Sequence, residues 1–172
     1  QFREIKAGAE RKRLVEITFL SRSGVTLLVG TFSDGAWTED GGRWLHLTTA
    51  DGLLSNRIVG MVAAEDDLLV ASDYGLATTR LANLATDTPE SGQSRFLSVA
   101  ALPSLSSVVQ YGGKFVLCKD NGETFGLPTD VDLSHLRRTI PATWNRVSVA
   151  TGSRLATLED ELWLLSSDGV HR

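Results

Sequence analysis

The sequence predicts an all-β protein, a β-propeller built from four-stranded antiparallel blades, and three observations carry that expectation. Four apolar runs recur, each closed by a polar turn and a glycine: Leu27–Gly35, Leu68–Gly75, Phe115–Gly122 and Leu162–Gly169. The closing glycines are spaced by 40, 47 and 47 residues, a period in the range of a propeller blade. The runs are rich in β-branched and aromatic residues, and Gly, Asp and Ser interrupt them too often for helices.

Each repeat reads as four strands, giving one domain over 1–172 with blades at roughly 15–48, 58–100, 106–149 and 153–172. An inner strand opens each blade: Val15–Leu20, Ile58–Ala63, Ser107–Tyr111 and Arg154–Leu158. Tight polar turns follow at Ser21–Gly24, Glu65–Asp67, Gly112–Gly113 and Glu159–Asp160. The second strand is the apolar run itself. It ends in Asp34-Gly35, Tyr74-Gly75, Asn121-Gly122 or Asp168-Gly169, where glycine accepts the positive φ of a hairpin turn. A more polar third strand leads to an outer strand at Trp44–Leu47, Arg95–Ser98 and Trp144–Val147. Phe2–Ile5 resembles an outer strand with no blade before it, and Gly169–Arg172 a third strand with no outer strand after it. Two readings follow. In one, about four blades close a monomeric ring, the N-terminal strand in residues 1–6 completing the last blade and removing two sheet edges. In the other, the chain is a fragment of a larger propeller of about five to eight blades.

Composition narrows the function classes. The 172 residues are 42% hydrophobic and 22% charged, which excludes disorder, collagen-like repeats and a coiled coil as descriptions of the whole. A formal charge of -4 argues against a nucleic-acid binder, with the basic run Lys6–Arg13 a local exception. The single cysteine, Cys118, cannot form an internal disulfide and is expected to be a buried small residue. No apolar run approaches the roughly 18 residues of a membrane helix.

The segment Trp44-Leu-His-Leu-Thr-Thr-Ala-Asp-Gly-Leu-Leu-Ser-Asn-Arg-Ile58, followed by Leu69-Val-Ala-Ser-Asp-Tyr-Gly-Leu76, resembles the two-component regulator propeller repeat. There an aromatic outer strand leads through a "dGL.sN.I" linker to an inner strand and a "lWiGT..GL" hairpin. Leu28–Thr31 and Leu162–Leu165 match the hairpin piece; Ser166-Ser167 stands where Gly-Thr is expected, and the pattern is weak over Ser106–Leu127. The resemblance implies a bacterial, non-enzymatic sensory or protein-binding domain, often carried outside the cytoplasm, in the periplasm or extracellularly, on larger receptors. Within the linker, Gly52 suits a sharp reversal, Leu53 a plug between adjacent blades, and Asn56 a hydrogen bond to its own turn backbone.

The residues that bear chemistry point the same way. No G-x-S-x-G occurs, and His46, His135 and His171 lie in three unrelated contexts, so no enzyme is expected. No H-x-x-x-H, C-x-x-C or D-x-D-x-D-G spacing marks a metal site, and no cofactor is expected. Asp34, Asp73, Asp120 and Asp168 recur in the turn between second and third strands. Blade symmetry would set them around one mouth, where they would attract a cation, a Lys or Arg side chain or a polar ligand. Aspartate is also a favoured turn residue in its own right. Two long connections, 82–94 and 128–143, break the repeat. The second holds a candidate short helix with His135, Arg137 and Arg138, all three candidate partner contacts. The expected function is a non-catalytic binding module facing a protein, a peptide, a saccharide or a small polar ligand. The alternatives are a structural part of a larger propeller or assembly and a propeller hydrolase or lyase.

Overall fold

The computed structural model describes residues 6–7, 12–13, 16–23, 26–64, 66–84, 94–128, 146–158 and 161–172. A short ribbon pairs β1 (Lys6–Ala7) with β2 (Lys12–Arg13). Blade 1 is β3 (Ile17–Ser23), β4 (Thr26–Thr31), β5 (Ala36–Asp40) and β6 (Arg43–Leu47); blade 2 is β7 (Ile58–Ala64), β8 (Asp67–Ser72), β9 (Gly75–Arg80) and β10 (Leu97–Ala101). Blade 3 is β11 (Leu105–Tyr111), β12 (Lys114–Lys119), β13 (Glu123–Pro128) and β14 (Arg146–Ser148); blade 4 is β15 (Arg154–Leu158), β16 (Glu161–Ser166) and β17 (Gly169–His171). Blades 1 to 3 are four-stranded antiparallel meanders, and blade 4 has three strands among the described residues. The inner strand slips register at the same place in three blades, between Ile17 and Phe19, Ile58 and Gly60, and Leu105 and Ser107, a bulge conserved by the repeat.

Some boundaries differ from the sequence reading. The first inner strand runs on through Ser21–Ser23, which were expected to turn. Ser21 pairs with Leu28 and Ser23 with Thr26, and polar side chains leave the ladder's backbone hydrogen bonds intact. The second outer strand begins at Leu97 rather than Arg95, because Arg95 is drawn into a buried polar contact described below.

Period-two alternation splits each blade into two apolar sides, and the core lies between blades. Leu28, Ala36 and Leu47 of blade 1 pack with Ile58, Met61, Leu68, Val70 and Ala77 of blade 2. Leu69, Ala71 and Leu76 on the opposite side of blade 2 pack with Val108, Phe115, Leu117 and Leu127 of blade 3. Burying each such leucine contributes about 1.5–3 kcal/mol. Inner strand packs on inner strand in the series β3, β7, β11, β15; among the described strands no packing of that extent joins β15 back to β3. The strand expected to complete the last blade, in residues 2–5, lies outside the described residues.

The repeated glycine has a steric cause. Gly35 adopts φ +73°, and a Cβ there would stand 2.2 Å from the Leu47 carbonyl oxygen at the end of the outer strand; at Gly75 and Gly122 the same clash would be with Ala100 O at 2.2 Å and Val149 O at 2.0 Å. Gly41, at the β5–β6 hairpin tip, has φ +58° and nothing within 4 Å. Gly35→Ala is therefore expected to lower unfolding stability by at least about 2 kcal/mol, adding steric displacement to the φ penalty, and Gly41→Ala by only about 1 kcal/mol. Urea denaturation of the two variants checks the difference.

Candidate functional site

The turns between second and third strands and the linkers between blades are tied into one rim by backbone hydrogen bonds. Gly35 N donates to Asn56 O (2.9 Å) and Asp73 N to Arg57 O (3.1 Å), so a single linker holds the turns of blades 1 and 2. Ser104 N donates to Asp73 O (2.7 Å) while Ser104 O accepts from Asp120 N (2.8 Å), and Gly152 N donates to Asp120 O (2.7 Å). The strapping carries the turns of Asp34, Asp73 and Asp120 to the same edge of the stacked sheets.

The first linker is built as its residue types suggest. Thr48 and Asp51 cap a short 3-10 helix, Thr49–Asp51, and Gly52 ends it in the left-handed conformation. Leu53 is buried among Leu28, Leu47 and Ile58, the plug between blades 1 and 2. Asn56 differs from expectation: its Oδ1 accepts from Thr49 N, seven residues back (2.9 Å), closing the whole linker and not its own turn.

Three of the recurring aspartates have local side-chain partners of their own. Asp34 Oδ2 accepts from Trp37 Nε1 (3.2 Å), and Asp34 O lies 2.6 Å from His46 Nε2. A carbonyl only accepts, so that nitrogen carries the hydrogen. Trp37 and His46 face each other across the β5–β6 hairpin and stack with centroids 4.0 Å apart; Trp44 meets Trp37 edge-on at 6.5 Å. Asp73 Oδ2 stands 4.0 Å from Arg57 Nη1, and the Arg57 guanidinium lies 4.6 Å over the Phe32 ring. One arginine thereby bridges an aromatic on the blade 1 turn and a carboxylate on the blade 2 turn. Asp120 is exposed. Asp168, also exposed, accepts from the Ser166 hydroxyl and lies 3.5 Å from His171 Nε2. Among the described residues no three His, Cys, Asp or Glu gather closely enough to hold a metal ion. His135, Arg137 and Arg138 lie outside the described residues.

Two features of the rim and its surroundings were not legible as sites. Phe32 and Tyr74 are exposed beside Asp34 and Asp73; they read as ordinary hairpin residues until the turns are placed at one edge. Arg95 is buried, with Nη1 donating to Asn83 O (2.6 Å) and Nε 3.6 Å from Asp51 Oδ1, so it holds the blade 2 periphery to the linker. Cys118 is fully buried, as expected, with Sγ 3.6 Å from Ser153 O. Between blades 3 and 4 an apolar cavity of about 350 Å³ is lined by Val116, Gly126, Leu155, Leu162 and Leu164, with His171 and Arg172 among its polar members.

The chain matches solved propeller structures at low sequence identity. The PorZ protein of Porphyromonas gingivalis, described as an essential bacterial surface component of the type-IX secretion system, superposes with a TM-score of 0.62 at 12% identity, over 86% of this chain and 18% of that one. The extracellular domain of the putative hybrid two component system BT4673 from B. thetaiotaomicron gives 0.59 at 16% identity, over 99% and 21%. BamB from Moraxella catarrhalis gives 0.56 at 15% identity, over 88% and 41%. The chain thus spans less than half the length of each. No family model matches the sequence, and no curated protein does. The fold class is that of the β-propellers. Among the described residues no helix is long and apolar enough to cross a membrane.

The Ser166 hydroxyl, its own backbone hydrogen bond and His171 hold the Asp168 carboxyl below its ordinary value of 3.8. A lowered folded-state pKa means that the stabilising contribution is present above the unfolded value and is lost as pH falls through the folded one. A carboxyl carbon NMR titration is expected to place the Asp168 midpoint below 3.8, and Ser166→Ala and His171→Ala each to raise it.

Proposed function

We propose that the chain is a non-catalytic propeller module whose acidic, aromatic rim binds an arginine- or lysine-bearing segment of a protein partner. The observation that carries this reading is Arg57, which sits with its guanidinium over Phe32 and its Nη1 beside Asp73. The rim already holds one cation in this way, and the next turns repeat the elements, with Tyr74 and Asp120 exposed. Carboxylate and ring face together favour a guanidinium or ammonium group over a neutral ligand. The likeness to an extracellular domain of a two component system, together with the linker motif at Asp51–Ile58, supports placing the module among sensory propellers of the two-component regulator type. The described imidazoles support a non-catalytic role: His46 is bonded to Asp34 O and stacked on Trp37, and His171 pairs with Asp168.

The test uses an arginine-rich peptide and fluorescence anisotropy. Binding is expected to weaken as salt rises and to fall several-fold in Tyr74→Ala/Asp120→Asn, both exposed positions whose replacement leaves the thermal midpoint near the parent's. Equal affinity of parent and variant would remove the rim as the binding surface.

A further inference from the structure

The rim supplies its own cation at a position where the fold asks for none. The residue before each of three inner strands gives its carbonyl oxygen to the same strap: Glu16 O accepts from Phe32 N (2.9 Å), Arg57 O from Asp73 N (3.1 Å) and Ser104 O from Asp120 N (2.8 Å). An acid, an arginine and a serine fill one backbone role, so the main chain does the strapping and the side chain can differ. Removing the Arg57 guanidinium takes none of these backbone hydrogen bonds away.

That guanidinium is loosely held. Its Nη1 stands 4.0 Å from Asp73 Oδ2, and 42% of the Arg57 side chain is exposed. Asp73 Oδ1 is buried without a hydrogen-bond partner, so the carboxylate keeps unused accepting capacity. A well-seated arginine gives a carboxylate two parallel N–H···O bonds of about 2.7–2.9 Å, which Arg57 does not achieve. The Phe32 ring stays exposed with Arg57 4.6 Å above it, so a second planar cation can reach the same ring once the Arg57 arm turns out. Exposed ion pairs and exposed cation–π contacts are each weak, and neither fixes the arm in place.

We infer that Arg57 is an autoinhibitory occupant of the rim: it lies in the Phe32–Asp73 place that an arginine or lysine of the partner takes, and binding turns it out into solvent. The inference rests on the rim reading and adds a regulation to it. A tethered competitor is present at high effective concentration, so a single cationic side chain gains little at this place. A segment that also engages Tyr74 and Asp120 gains enough from the linked contacts to displace Arg57. The device selects a run of basic residues over an isolated one.

Two measurements on the 172-residue chain test it, with the arginine-rich peptide as the probe. In NMR, the Arg57 Nε–H signal is shifted by the Phe32 ring current in the free chain and is expected to move to the position of a solvated arginine at saturating peptide. In fluorescence anisotropy, Arg57→Gln is expected to bind the peptide about three- to ten-fold more tightly than the parent. Arg80→Gln removes the same charge from an exposed position at the far end of β9 and is expected to change the affinity by less than about two-fold. An Arg57 signal that stays under Phe32 with the peptide bound would overturn the inference. So would an affinity that Arg57→Gln leaves unchanged, or equal gains in both arginine variants, which mark a general charge effect. Any of these, with Tyr74→Ala/Asp120→Asn still weakening the peptide, overturns the autoinhibition alone and leaves the rim's role standing. No binding by the parent and none by Arg57→Gln overturns both.

Discussion

Backbone hydrogen bonds between linkers and turns hold this structure in its repeat. A linker that leaves an outer strand must cross to the next inner strand, and on the way it offers unpaired N–H and C=O groups. The turns of the two blades that it passes present the complementary groups, at Gly35, Asp73 and Asp120. Each strap satisfies polar groups that would be costly to bury unpaired, and it also sets the offset of one blade on the next. Apolar sides that would otherwise slide are held in register. Leu53, wedged between blades 1 and 2 directly after the capped turn, shows the polar and apolar parts acting together.

Among the described residues burial is high in the second strands of blades 1 and 2 and lower in that of blade 4. Blade 2 has a neighbour on both sides, and the second-strand residues Leu68, Leu69, Val70 and Ala71 are all buried. Among the described residues blade 4 has three strands and packs on blade 3, where Ser107 Oγ accepts from Leu155 N (2.9 Å) and Ser106 Oγ donates to Ser153 O (3.0 Å). These hydrogen bonds act beside the apolar side chains of Leu155, Leu162 and Leu164. Repeat proteins distribute stability in this nearest-neighbour manner.

Much of the architecture was legible in the sequence because it rests on local rules. The Gly112–Gly113 turn and the Arg154–Leu158 strand lie where periodicity and turn chemistry put them. The recurring glycine was readable as a turn signal, although its deeper cause, the carbonyl of the outer strand lying over it, appears only in three dimensions. Ser21–Ser23 misled because their polarity resembles a turn while their backbone belongs to the ladder. The rim was half legible. The four aspartates announced a common turn, but the straps that align those turns run through main-chain atoms, which leave no side-chain signature. Trp37 and His46 could have been paired by counting back from the Gly41-Gly42 hairpin, since a two-residue loop fixes its register. Arg57 could not, because its partners come from two different blades.

Amide hydrogen exchange at the strap positions tests the central claim most directly. If linker-to-turn bonds hold the blades together, the N–H groups of Asp73, Ser104, Asp120 and Gly152 exchange as slowly as those of the central strands β8 and β12, despite lying in turns and linkers. Exchange at the rate of the exposed Gly41-Gly42 tip would show that the straps open freely and that side-chain packing alone fixes the blades.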